Sequence, residues 1–117
     1  MRGFNWLKPP PPPEVHDDTE AERFLIRVDG RRAGHSDYQR TPGKIVFTHT
    51  EIEPEFEGKG VGSTLIREAL AQARAEGLAV IPRCPFVREY IERHPAEIDL
   101  VPAARWAEFG LEGEAPR

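Results

Sequence analysis

Eight consecutive residues, Glu57-Gly58-Lys59-Gly60-Val61-Gly62-Ser63-Thr64, carry the clearest chemistry in this chain. Three glycines in five positions let successive backbone N–H groups turn into one concavity. A helix starting at Val61 adds the unpaired N–H groups of its first turn and the positive end of its dipole. Together these make an anion site, suited to phosphate or pyrophosphate on a nucleotide or cofactor. Lys59, one of only three lysines, adds a mobile positive charge. The second chemical group is Cys84, the only cysteine, between Arg83 and Pro85. Proline suits the first position of a helix, which puts Cys84 at its N-cap. A helix N-terminus and an adjacent cation favour thiolate, so Cys84 is a candidate acyl acceptor or general acid. The ordinary fate of a free cysteine is a small buried hydrophobe.

Two familiar phosphate loops fail on spacing. A P-loop needs Gly, four residues, then Gly-Lys-Ser/Thr, and Lys59 precedes glycine. A dinucleotide loop needs Gly-x-Gly-x-x-Gly, and Ser63 stands where the last glycine belongs.

The elements that must position these groups follow from pattern. Residues 24–28 are strand-like, and Asp29-Gly30 is a two-residue hairpin turn. Residues 31–38 pair back, Thr41-Pro42-Gly43 turns the chain, and residues 44–52 form a third strand. These three make an antiparallel meander. Val61, Leu65, Ile66, Ala69, Leu70 and Ala73 share one face of a helix over 61–76, which Gly77 ends. Residues 78–81 are an unbroken apolar run, as in a strand covered by a helix. Phe86, Val87, Tyr90 and Ile91 make the buried face of a second helix, and His94-Pro95 stops it. A short last strand is expected at 99–101. The class is α+β: a strand meander, then helix, strand, helix around a mixed sheet.

The chain has 117 residues, enough for one domain and one modest core. Residues 1–22 read as a proline-rich N-terminal arm, 23–102 as the folded domain and 103–117 as a tail. The run Pro9–Pro13 favours polyproline II, a stiff leader or a ligand for a proline-binding protein partner. Residues 14–22 read as its solvated continuation. In the tail, Trp106 and Phe109 are placed to dock back on the core. A net charge of −4 gives no basic field for nucleic acid. No apolar run approaches a membrane span of about 20 residues. One cysteine excludes an internal disulfide framework and leaves a zinc cluster short of sulfur, so no metal is expected. The N-terminus lacks the apolar stretch of a signal peptide, and a cytoplasmic location is the expectation.

The glycine loop resembles the acetyl-CoA loop of the GNAT superfamily, whose core is Gln/Arg-x-x-Gly-x-Gly/Ala, with Glu57 in place of Gln or Arg. More narrowly, the chain is similar to very small, stand-alone GNAT-like N-acetyltransferases. The marks are Thr48-His49-Thr50-Glu51, Gly58-Lys59-Gly60-Val61-Gly62, and Arg83-Cys84-Pro85-Phe86-Val87-x-x-Tyr90-Ile91, and the likeness covers residues 24–100. It implies a minimal GNAT-like fold and transfer of an acetyl group from acetyl-CoA to an amine acceptor. It implies that Gly58, Lys59, Gly60, Val61, Gly62 and Ser63 hold the pyrophosphate. Thr50, Glu51 and Ile52 would pair with the pantetheine arm like an extra strand. Larger members place two helices between their first two strands, and Asp29-Gly30 leaves no room for them. That implies an open acceptor cleft, suited to a peptide or protein amine.

The family likeness also assigns Tyr90 as a donor to the leaving thiolate, against a packed core role. His49 alternates with Ile45 and Phe47, which places it on their side of the sheet as a core histidine or a proton shuttle for the amine. Glu51 and Glu53 are bases or solvated strand ends. His16 and His35 carry no usable signal. The alternative function is a non-catalytic module binding acyl-CoA, or another phosphorylated ligand, through the same loop.

Overall fold

A computed structural model describes residues 12–113. Five strands form one sheet in the order β1-β2-β3-β4-β5. They are β1 (Glu14–Asp18), β2 (Arg23–Val28), β3 (Arg31–Thr41), β4 (Lys44–Ile52) and β5 (Ala79–Pro82). The first four are antiparallel in succession, and β5 runs parallel to β4. Helix α1 (Val61–Ala75) makes the crossover between β4 and β5, and α2 (Pro85–Arg93) follows β5. The fold is α+β with a mixed sheet, as the pattern required.

Local chemistry accounts for the meander. Asp29 and Gly30 both take positive φ, 51° and 76°, as a two-residue hairpin turn of the primed type requires. The apolar side of α1 is buried at Val61, Leu65, Ile66, Ala69, Leu70 and Ala73. It packs on Phe24, Ile26, Tyr38, Ile45 and Phe47 of the sheet in one core.

Four expectations are corrected. Residues 14–18 belong to the sheet and are no solvated arm. Val15 packs against the core, and Asp17 accepts hydrogen bonds from the Tyr38 hydroxyl and from Arg40 at 3.0 Å. Arg40 also donates to Glu76, just past α1, at 2.7 Å. A polar, charged strand is thus tied in by side-chain bonds that span three elements. The proline run lies mostly outside the described residues, as do residues 114–117.

Second, residues 99–101 form no strand. Pro95–Leu100 is a 3₁₀ helix, pinned by Arg74, which donates to Glu97 at 2.9 Å and to Asp99 at 2.8 and 2.9 Å. The chain beyond it does dock: Trp106, Phe109 and Leu111 are buried in the core, and the Trp106 indole donates to Val101 O at 2.8 Å.

Third, His49 does not share the side of Ile45 and Phe47. In the β3–β4 ladder Tyr38 faces Phe47 while Asp37 faces His49, so Thr48 is an extra, bulged residue. The side-chain period is two, so one extra residue exchanges faces beyond it. Thr50 and Ile52 point to the α1 side, and His49 and Glu51 to the other. Fourth, Phe86 is 37 % exposed.

Candidate functional site

The cleft arises because two parallel strands part. β5 pairs with β4 only over residues 44–47. The Cys84 N–H then donates to Phe47 O at 2.9 Å, and the chain turns into α2. Residues 48–52 of β4 keep β3 on one side and, among the described residues, have no strand on the other. The glycine loop and the start of α1 close the gap. The result is a cleft of about 480 Å³ lined by Thr50, Glu51, Ile52, Phe56, Glu57, Gly58, Gly60, Val61, Gly62, Ser63 and Phe86.

The glycines do different work. Gly58 and Gly60 have φ of 76°, and a Cβ on either would meet nothing within 4 Å. They are needed for left-handed backbone. Gly60 is the N-cap of α1, and Gly60 O accepts from Thr64 N at 3.1 Å. The N–H groups of Val61, Gly62 and Ser63 precede that bond and have no backbone acceptor among the described residues. Gly62 is helical, and a Cβ there would collide with the Phe86 ring. Its absence lets α2 close over α1 and sets Phe86 as the cleft's rim. Lys59 is exposed and does not line the cleft, whereas Glu57 does.

Cys84 is the N-cap of α2, as its neighbour Pro85 indicates, and is 2 % exposed. Its thiol donates to Thr50 Oγ1 at 3.3 Å, and Thr50 in turn shares a hydrogen bond with buried Ser36 at 2.9 Å. Cys84 therefore stands one side chain behind the cleft wall. Tyr90 lines a neighbouring cavity of about 80 Å³ with Ser63 and Phe86, and its ring stacks on His94 at 3.9 Å. Burial pushes the Tyr90 hydroxyl up from its ordinary value, and Glu97 adds to this.

On the opposite side of β4, His49 is 59 % exposed, with Nε2 3.8 Å from Glu51 Oε1. His35 Nε2 is 3.3 Å from Glu51 Oε2, and His35 Nδ1 is 3.0 Å from Asp37 Oδ1. Among the described residues, no group of three His, Cys, Asp or Glu is placed to hold a metal.

Residues 23–100 match the family model described as GCN5-related N-acetyl-transferase. The chain belongs to this family. It is 26 % identical over 86 residues to Protein NATD1 of Gallus gallus, covering 72 % of this chain and 78 % of that protein. A crystal structure of a ribosomal-protein-alanine N-acetyltransferase from Brucella melitensis biovar Abortus 2308 aligns over 81 % of this chain and 68 % of that one. That alignment has 19 % identity and a TM-score of 0.48. No helix among the described residues is long and apolar enough to cross a membrane.

Sequence reasoning missed Phe56, Phe86, His35 and Asp37. Phe86 reads as part of a buried helix face, and Phe56 carries no signal of its own. Nothing in the sequence places His35 and Asp37 beside Glu51, which lies on a neighbouring strand.

Proposed function

We propose that this family member is an N-acetyltransferase that takes acetyl-CoA in the β4–α1 cleft and delivers the acetyl group to an amine, on a peptide or protein. One observation carries it: free N–H groups at the N-terminus of α1 and the partnerless edge of residues 48–52 open onto the same cleft. The first suits a pyrophosphate, and the second suits an amide-bearing arm laid along the strand. Gly58, Gly60, Val61, Gly62 and Ser63 would hold the phosphates, and Thr50, Glu51 and Ile52 the arm. Lys59 would serve by long-range attraction. Acetyl-CoA supplies an activated thioester acyl group. A peptide acceptor suits a cleft whose strand hairpin, Asp29-Gly30, passes from β2 to β3 with no helix between them. A cytoplasmic location, where acetyl-CoA is made and used, belongs to this reading.

The amine must lose a proton and the departing thiolate must be stabilised. Thr50 Oγ1 faces the cleft and accepts the Cys84 thiol hydrogen, so it can pass its own proton forward while Cys84 refills it. Cys84 is thereby a positioning and proton-supplying group. Tyr90, from the adjoining cavity, is the second candidate donor, and His49, on the other face of β4, a candidate shuttle for the amine proton. A second reading, a non-catalytic acyl-CoA module, draws on the burial of Cys84, which bars a direct acyl acceptor at that thiol.

The test incubates the full chain with labelled acetyl-CoA and short peptides bearing a free α-amine or a lysine. Acetyl-peptide and free CoA should appear together, with no acetyl-Cys84. Cys84→Ala should lower turnover about tenfold or more with CoA affinity nearly unchanged. CoA binding without transfer to any amine would favour the module.

A further inference from the structure

We propose that His35 is the positioning residue for the acceptor amine. With Asp37 it orients Glu51 and leaves, between His35 Nε2 and Glu51 Oε2, a place for the proton that an ammonium acceptor must give up. The inference rests on the acetyl-transfer reading above and deepens it.

Strand pairing assembles the group. His35 lies opposite Glu51, and Asp37 opposite His49, in the β3–β4 register. His35 is only 9 % exposed, whereas the Glu51 side chain is 63 % exposed and Glu51 lines the cleft. The charged and titratable groups facing His35 come from three strands. They are Asp37 on β3, Glu51 and His49 on β4, and Arg23 on β2, whose Nε lies 3.1 Å from Asp37 Oδ1 as an ion pair without hydrogen-bond geometry. Directly opposite on β2 is apolar Leu25, with His16 of β1 beyond it.

The hydrogen-bond count then decides the chemistry. A neutral imidazole has one N–H, and an ionised carboxylate can only accept. Both ring nitrogens of His35 face carboxylate oxygens. When Nδ1 carries the hydrogen and donates to Asp37, a lone pair on Nε2 faces a lone pair on Glu51 Oε2. A proton placed there turns that opposition into a charge-assisted hydrogen bond. An ammonium at Glu51 supplies it: the N–H bond breaks, its electron pair stays on the amine nitrogen, and the proton bonds to the Glu51–His35 pair. The trio becomes less negative by one charge. The proton then leaves to water from the exposed side of Glu51.

The experiment uses the full chain with acetyl-CoA and a lysine-bearing peptide, alongside nitrogen NMR of the His35 ring. In the wild type, the rising limb of kcat with pH and the loss of the second ring N–H should share one midpoint. Glu51→Gln should move the ring's midpoint. His35→Gln should lower kcat on the order of 10²-fold and remove that inflection, with KM for acetyl-CoA unchanged. An inflection that survives His35→Gln, or a ring midpoint indifferent to Glu51→Gln in an active enzyme, overturns the role of His35 alone. Failure to acetylate any amine, with the ring still coupled to Glu51, instead defeats the acetyl-transfer reading and the acceptor role with it.

Discussion

Gly60 and Gly62 are two residues apart and are glycine for unrelated reasons. Gly60 needs left-handed φ and has open space around it; Gly62 needs the absence of a Cβ under Phe86. Their substitutions should differ accordingly. Gly60→Val should leave the circular dichroism spectrum intact and weaken CoA binding, read by calorimetry, by more than tenfold. Strain at a left-handed position costs roughly 1–2 kcal/mol, small against a whole domain, but it turns the N–H groups of the loop. Gly62→Ala should push the Phe86 ring outward and narrow the cleft. Pairing it with Phe86→Ala should recover part of the lost affinity, since the two share one contact. Additive losses would show that the ring and the glycine are independent.

At the scale of elements, the sheet's outer strand is held by polar bonds. The Tyr38 hydroxyl on β3 donates to Asp17 on β1, and burial, with Asp17 next, pushes it from 10.0 to about 12. The neutral phenol is the form the folded state favours. Its contribution is therefore complete below the unfolded value near 10 and is lost as pH rises from about 10 to 12. Over that window the wild type should lose about 2–3 kcal/mol of unfolding free energy relative to Tyr38→Phe, measured by denaturant titration at each pH. Parallel curves for the two proteins would show that Tyr38 does not bind β1 in this way. The same logic on the acid side involves Glu76, held low by Arg40, and Asp99, held low by Arg74. Stability from those pairs is present above the ordinary carboxylate range and falls away as pH drops through it.

For the whole molecule, the C-terminal chain is part of the core. Trp106, Phe109 and Leu111 complete the cluster that backs α2, the helix carrying Cys84 and Phe86. Trp106→Ala should cost about 3–5 kcal/mol, since it removes a buried aromatic and its bond to Val101 O. That is a large share of a typical domain's stability, so the midpoint of thermal unfolding should drop by many degrees. A variant as stable as the wild type would place the segment outside the cooperative unit.

The local signals in the sequence were strong where one element satisfies its own chemistry. The period of 3.6 exposed the buried side of α1, Asp29-Gly30 marked the hairpin, and Pro85 put Cys84 at an N-cap. The glycine spacing marked, without any fold at all, the loop that lines the cleft and is proposed to hold an anion. What the tertiary structure decided were relations between elements. A bulge at Thr48 is invisible in a run of alternating residues, because its partner strand defines it, yet it moves His49 to the other side of the sheet. Strand β1 carries one partly buried aliphatic and gains its place from Tyr38 and Arg40, distant in sequence. Phe86 reads as core by period and is a cleft wall, because Gly62 lets it lie across α1. His35 becomes meaningful only when register sets it between two carboxylates.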